Sequence, residues 1–215
     1  PTSSRRSARS LSALAVRDSS ISMSCSAQRA TAIGCDMTFS PDAMSGEFFS
    51  KRGNLHSITT EWPESNEERL LKIEQTCEIA EGIHVIAHIP QNHPMPKGNQ
   101  NLFVQDANGK YVHDDFRHEI ALYVEVLLFT GCAHSGLENI LAACPWPVNT
   151  VVGGFHLLDG QETDEEIKAL AKRLKANYPD TRFYTSHCTG DNVYDVMKDM
   201  MGEQLQSFRC GTIIE

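Results

Sequence analysis

Apolar positions in the second half of the chain follow a regular order that predicts strands alternating with helices. Residues 121–130 (ALYVEVLLFT) form a long, β-branched apolar run of the kind found in strands that are buried on both faces. Three further strands are predicted at residues 148–153, 182–185 and about 207–214. Four strands in the last hundred residues indicate one extended sheet.

Helices are predicted in the three intervals between these strands. Two of them begin with a capping box, in which Ser or Thr is followed three residues later by Glu: Ser135 with Glu138, and Thr163 with Glu166. In the third interval, Gly202 lies where a glycine commonly ends a helix. The resulting β-α-β-α-β-α-β order is typical of an α/β architecture.

Shorter elements are predicted upstream of residue 120. Residues 82–89 (GIHVIAHI) alternate apolar side chains with His and Gly, which favours a strand. Asn108-Gly109 is a turn signal between two apolar segments, residues 102–104 and 111–112. A β-hairpin is therefore expected there.

The N-terminal segment has a different composition from the rest of the chain. Residues 1–30 contain ten Ser and five Arg against one Asp, and no aromatic residue. Such a composition is typical of a transit peptide, a disordered tail or a non-native start. We predict a Ser/Arg-rich tail at residues 1–35 and one partial folded domain at 36–215.

Charge excludes some classes of partner. The first 30 residues carry +4 and the whole chain −9, so the remaining residues carry −13. An acidic body is a poor binder of nucleic acid, because phosphate contacts need Lys and Arg. No apolar run approaches the ~18 residues that span a bilayer, so no membrane association is expected. A small-molecule substrate held at a local cationic centre, such as a metal, fits better.

Cysteine usage indicates the redox environment. The chain has seven Cys, an odd number, with no CxxC spacing. A disulfide framework is therefore not expected, and a reducing, cytoplasmic location is predicted. An organellar location follows instead if the N-terminal segment is a transit peptide.

Three histidines share one placement, each beside glycine at the end of a predicted strand. They are His134 in GCAHSG, His156 in GGFH and His187 in SHCTG. If the strands are parallel, all three lie at the edge of the sheet where ligands of open α/β sheets bind. Neutral imidazole is the commonest metal ligand in proteins, and three suit Zn²⁺ or Fe. Taken singly, each is more commonly a capping or hydrogen-bonding histidine, but three at one edge favour a metal or catalytic role.

Other polar side chains near these motifs are candidates for orienting a ligand histidine by hydrogen bonds. This set is Asp114, Asp115, His118, Glu119, Cys132 and Cys188. The alternative is a solvated strand entrance for the first four and buried small apolar residues for the two cysteines. His84, His88 and His93 are candidates for a second metal site, but we favour the interpretation that they are partly buried or solvated.

The three histidine motifs also carry a resemblance. The runs at residues 127–141, 151–158 and 183–202 are together similar to the metallo-β-lactamase superfamily. Within it they resemble the branch named after a dihydropterin ribofuranosylaminobenzene-phosphate synthase. The resemblance extends from about Phe39 to Glu215.

The resemblance implies an αββα sandwich with a metal site on one edge. It assigns His134 to a first metal, His187 to a second, and His156 to the bridging position that is usually Asp in the superfamily. Up to two Zn or Fe ions are implied. They would activate water as a metal-bound hydroxide for hydrolysis of a phosphoester or related small molecule.

One part of the superfamily pattern is missing from this sequence. The main ligand motif, His-x-His-x-Asp-His, is expected before Pro41, yet no His occurs before His56. The first strands of the fold are missing with it. Two interpretations stay open: a hydrolase impaired by the missing motif, or a truncated or degenerate non-catalytic relative that acts as a binding module. A half-sheet also exposes an edge, through which homo-oligomers are expected to form.

Overall fold

A computed structural model describes residues 37–59, 70–158 and 161–214. The predicted tail at residues 1–35 lies outside these ranges, so the division at residue 36 stays a prediction. None of the helices in the described ranges is long and apolar enough to cross a membrane.

The described residues form four α-helices and thirteen strands. The helices are α1 Pro41–Ser45, α2 Leu137–Ala143, α3 Asp164–Asn177 and α4 Asp191–Met201. The strands are β1 Met37–Phe39, β2 Phe48–Arg52, β3 Asn54–Ser57, β4 Leu70–Lys72, β5 Cys77–Ala80, β6 Ile83–Ile86, β7 Leu102–Gln105, β8 Tyr111–His113, β9 Ala121–Val124, β10 Leu127–Phe129, β11 Thr150–Val152, β12 Arg182–Thr185 and β13 Leu205–Ser207.

These strands build three sheets. The largest has seven strands in the order β13-β12-β11-β10-β9-β6-β5, and a second has four in the order β3-β2-β7-β8. Strands β1 and β4 form a parallel pair. In the large sheet β10 to β13 are parallel and β5, β6 and β9 are antiparallel, so the fold is a mixed α/β fold.

The predicted β-α-β-α-β-α-β order is confirmed from β10 to β13. The register of the four parallel strands places four residues side by side, and all of them are fully buried: Leu128, Val151, Phe183 and Leu205. One continuous row of apolar side chains therefore crosses the parallel half of the sheet. Helices α3 and α4 cover this core with Ile167, Ala171, Leu174, Val193, Met197 and Met201.

The prediction of one long strand at residues 121–130 is wrong. The segment forms an antiparallel hairpin, in which β9 and β10 pair as Tyr123 with Leu128. Its turn is made by Glu125, with a left-handed φ of 55°, and Val126. Neither residue is a turn former, so no local signal marked the reversal. The final strand predicted at about 207–214 is also misplaced, since it spans Leu205–Ser207 and residues 208–214 form no strand.

The upstream predictions are confirmed with shorter bounds. Residues 82–89 contain β6, which pairs with both β5 and β9. Strands β7 and β8 form the predicted hairpin around Asn108 and Gly109, and Gly109 has the positive φ of 76° that the turn requires.

One of the two predicted capping boxes is present. At α3, Thr163 accepts a hydrogen bond from the Glu166 N–H and Glu166 accepts one from the Thr163 N–H. At α2 the prediction is wrong, because the N-cap is Gly136 and no side chain caps the helix. Glu138 turns instead toward α3, where Arg173 holds its carboxylate through two hydrogen bonds of 2.9 and 2.7 Å.

Candidate metal centre

Three loops meet at the carboxyl ends of β10, β11 and β12, and backbone hydrogen bonds join them. The Gly154 N–H donates to the Gly131 carbonyl over 2.9 Å. The N–H groups of Leu157 and Leu158 both donate to the Cys188 carbonyl, also over 2.9 Å. Because each loop is tied to the next, side chains on all three are held at one edge of the sheet.

His134 and His156 lie ring against ring in this edge. Their ring centroids are 3.8 Å apart with an interplanar angle of 41°, and Phe116 stacks on His134 with centroids 4.7 Å apart. His134 is only 3 % exposed. Burial, reinforced by the neighbouring His156, holds the pKa of His134 well below its usual range. His134 is therefore a neutral imidazole near pH 7, which is the form that binds metal.

Asn99 orients the His134 ring. Its side-chain amide donates to the His134 carbonyl over 2.7 Å, and its Oδ1 lies 2.9 Å from His134 Nδ1. The amide oxygen therefore faces the ring and accepts a hydrogen bond from Nδ1, which carries the proton. Nε2 is therefore the ring nitrogen that this hydrogen bond leaves available for a metal ion.

Glu119 holds the backbone of the same loop. Its carboxylate accepts hydrogen bonds from the His134 N–H at 2.8 Å and the Ser135 N–H at 2.6 Å. The side chain is buried, and burial raises the pKa of Glu119 although these N–H groups oppose the shift. Glu119 thus fixes the chain direction at His134, and its role beside a metal ligand stays a prediction.

The other three members of the predicted orienting set on this segment lie at different depths. Asp114 is buried 3.7 Å from His118 Nδ1 and accepts the Phe116 N–H, which positions the ring that stacks on His134. Burial raises the pKa of Asp114, with His118 opposing. Asp115 is half exposed and accepts a hydrogen bond from Arg117. Asp115 therefore faces solvent.

His156 shows two signs of a functional constraint. Its φ of 50° is left-handed, which a residue with a β-carbon adopts at an energetic cost of order 1–3 kcal/mol. Its Nε2 is buried and has no hydrogen-bond partner in the described part of the chain. Buried polar atoms are nearly always satisfied, so this nitrogen fits a ligand that the protein itself does not supply.

Two cysteines accompany His156. The sulfurs of Cys132 and Cys188 and one ring nitrogen of His156 all lie within 4.8 Å of one another, and all three residues are buried. The adjacent Cys132 thiol, together with burial, raises the pKa of Cys188. The donors of this group are sulfur and imidazole nitrogen, which suit a soft divalent cation.

The glycines of the GGFH motif provide space for these side chains. A β-carbon on Gly154 would overlap the Cys188 sulfur, and one on Gly153 would overlap the Thr130 side chain. These glycines therefore allow close approach between the loops.

The remaining sequence candidates are placed as follows. The backbone of His187 lies in a short 3₁₀ helix, His187–Thr189, while its side chain lies outside what the structure describes. The ring of His84 packs on Trp146 at 4.1 Å, and His88 is exposed. His93 exchanges backbone hydrogen bonds with the Asn139 side chain. These contacts favour the structural interpretation of His84 and His93.

Comparisons of the sequence with known proteins give a partial match. No protein-family model matches the chain. A curated relative, the uncharacterized protein MJ0448 of Methanocaldococcus jannaschii, is 28 % identical over 120 residues, which is 55 % of this chain. The chain spans 44 % of the length of that relative.

A solved structure is similar over most of the chain. It is described as Tm1679, a metal-dependent hydrolase of the β-lactamase superfamily, and superposes with a TM-score of 0.67 and 26 % identity. The match covers 83 % of this chain and 70 % of that one. The predicted fold class is therefore confirmed. This chain is structurally similar to a metal-dependent hydrolase of the β-lactamase superfamily.

Proposed function

We propose that this protein is a metal-dependent hydrolase that acts on a small phosphoester. The observation that carries the proposal is the ring-to-ring approach of His134 and His156 at the carboxyl edge of the sheet, 3.8 Å between centroids. The proposal includes the narrower branch named in the sequence analysis, and His187 as a third ligand. Zn²⁺ and Fe are the ions that such imidazoles suit.

A divalent cation in this site would supply Lewis acidity and would ionise water near neutral pH. The chain's own residues prepare the site for it. Asn99 and Glu119 hold the His134 ring and its backbone in one orientation. Burial keeps the His134 imidazole neutral, and Phe116 stacks on the ring. A fixed, dry set of nitrogens is what a reactive metal site requires.

Arg52 supports an anionic substrate. It is exposed at the end of β2, and its positive charge lies close enough to His134 to contribute to the lowered pKa of that ring. A guanidinium binds phosphate oxygens through two parallel hydrogen bonds. In a chain of net charge −9, a local cation at the site is needed to attract a phosphoester.

The second candidate is a non-catalytic metal-binding relative. One structural observation favours it. The two candidate ligand histidines that the structure describes are nearly inaccessible to solvent, with His134 3 % and His156 8 % exposed. A substrate must reach the reacting ion, whereas a structural ion is best held in a closed site.

Hydrolysis of p-nitrophenyl phosphate and bis(p-nitrophenyl) phosphate by the zinc- or iron-loaded chain tests the proposal. We expect turnover in the loaded protein and a loss of more than about 100-fold in His134→Ala and His156→Ala, because ligand loss exceeds the effect of losing an orienting partner. His113→Ala is the control, since His113 is an exposed histidine on β8. A chain that binds stoichiometric metal and hydrolyses neither ester would contradict the proposal and support the second candidate.

The same assay tests the role of Arg52. We expect Arg52→Met to raise KM about tenfold with little change in kcat, as loss of a charged hydrogen bond to phosphate implies. Its matched control is Lys51→Met, the adjacent exposed cation on β2. Equal effects of the two substitutions would exclude a specific contact with Arg52.

A further inference from the structure

We propose that Cys132, Cys188 and His156 bind one zinc-type cation directly, through two sulfur atoms and one imidazole nitrogen. In the sequence the two cysteines appear only as groups beside ligand histidines. Their placement in the fold makes them ligands themselves. This inference goes beyond the proposed function, because it concerns which atoms hold the ion and would hold equally for a chain that hydrolyses nothing.

The distances fit such a site. Bonds of about 2.3 Å to sulfur and about 2.0 Å to nitrogen place the ligands of a tetrahedral zinc roughly 3.5 Å apart. The three donor atoms already lie within 4.8 Å of one another without an ion. Small side-chain rotations are therefore enough to close the site. A search of the described His, Cys, Asp and Glu side chains for three donor atoms at such distances finds this group of Cys132, His156 and Cys188.

Backbone contacts keep the three donors together. The Cys188 carbonyl accepts two hydrogen bonds from the segment that follows His156, and Gly154 donates to Gly131, the residue before Cys132. A side chain at Gly154 would displace the Cys188 sulfur. The chain thus leaves room for a sulfur at this point and ties all three loops around it.

One polar atom of the group has no hydrogen-bond partner among the described residues. His156 Nε2 is buried without a partner in the described residues, and His156 has a left-handed backbone. The Cys188 sulfur lies 3.8 Å from the Cys132 carbonyl, a long and weak contact for a buried thiol. An ion bound by the two sulfurs would give this nitrogen a partner.

The donor set decides the class of ion. Thiolate sulfur selects Zn²⁺ and similar soft or borderline cations, whereas Mg²⁺ and Ca²⁺ prefer oxygen ligands. Two sulfurs with one imidazole leave a fourth position for a further ligand. The group therefore binds zinc or cobalt in preference to magnesium.

Cobalt substitution tests the proposal on the reduced, full-length chain. Co²⁺ bound to cysteine gives an intense near-ultraviolet sulfur-to-cobalt absorption, which a site of nitrogen and oxygen ligands does not give. We expect this band in the wild-type chain, a weaker band in Cys132→Ser and in Cys188→Ser, and no band in the double variant. Cys144→Ser is the control, because Cys144 is a partly buried cysteine outside the group.

A second measurement needs no substitution in the core. Zn²⁺ is expected to slow alkylation of Cys132 and Cys188 in the wild-type chain and to leave exposed Cys77 unchanged, as read by mass spectrometry of peptides. Bound cobalt without the sulfur band, or equal alkylation rates with and without zinc, would overturn the proposal. Ester hydrolysis without the band would leave the proposed function standing, whereas the band without hydrolysis would leave this inference standing alone.

Discussion

At the residue scale, His134 depends on side chains that are distant from it in the sequence. Asn99 is 35 positions earlier, and Glu119 is 15 positions earlier. Nothing in the local pattern around Asn99 marks it, because it lies in a short 3₁₀ helix, Lys97–Asn101, within a segment that reads as a loop. Its role follows only from the fold, which brings this helix against the loop after β10.

Replacement of Asn99 is expected to weaken metal binding. Asn99→Ala removes both the acceptor for His134 Nδ1 and the donor to the His134 carbonyl. Loss of a group that orients a ligand histidine commonly lowers metal affinity by about 10- to 100-fold. Competition titration with a chromophoric zinc chelator would measure the change. Asn101→Ala, in the same helix, is the control, and an equal affinity in the two variants would exclude the orienting role.

Two residues at the site also carry backbone strain. Ala133, next to His134, has a φ of 57°, and His156 has a φ of 50°. Each is a non-glycine residue in the left-handed region, beside glycines that adopt it more easily. Strained positions persist where surrounding contacts over-determine them, and they concentrate at functional sites. Here the contacts are the hydrogen bonds that join the three loops.

At the element scale, a charged pair links α2 to α3 behind the site. The Glu138 side chain is 6 % exposed, and Arg173 holds both of its oxygens although Arg173 itself is 44 % exposed. The same Glu138 was expected to cap α2. A capping hydrogen bond from Glu138 is unnecessary, because the Glu119 carboxylate already accepts hydrogen bonds from the N–H groups of His134 and Ser135.

Removing Arg173 is expected to destabilise the protein. Arg173→Met leaves the buried Glu138 carboxylate without its partner, at a cost of about 1–3 kcal/mol in the free energy of unfolding. Urea denaturation followed by circular dichroism would give the value. Lys172→Met, at the neighbouring exposed position on α3, should change it by less than about 0.5 kcal/mol. If both variants unfold at the same urea concentration, the pair contributes nothing to stability.

At the scale of the whole molecule, the described sheets leave edge strands. Strand β3 lies at the edge of the four-stranded sheet, and each of its four residues is exposed. An exposed edge presents unpaired backbone groups to another chain. Self-association through such an edge and a cytoplasmic location both stay predictions.

Light scattering would test the association. We expect a mass above the 23.9 kDa of one chain, and a return toward that mass in Leu55→Lys, because a lysine on an edge strand opposes pairing. Val126→Lys is the control, since Val126 has the same 38 % exposure as Leu55 but lies in the β9–β10 turn. A single-chain mass for the unsubstituted protein would contradict the expectation.

The sequence by itself determined the repeating strand–helix order of the C-terminal half, the hairpin at Gly109 and the cap of α3. These features rest on interactions between residues close together in the chain, such as the pair Thr163 and Glu166. It also placed His134 and His156 at strand ends. Periodicity and turn residues are enough for such local features.

Tertiary structure alone decided what surrounds those histidines. The 3.8 Å approach of the two rings, the orienting amide of Asn99 and the grouping of two cysteines with His156 all join segments that are 22 to 56 residues apart. The Glu125 turn and the fate of Glu138 were likewise set by the packing of neighbouring strands and helices. Contacts between distant segments depend on strand register and loop path, for which a single sequence has no local signal.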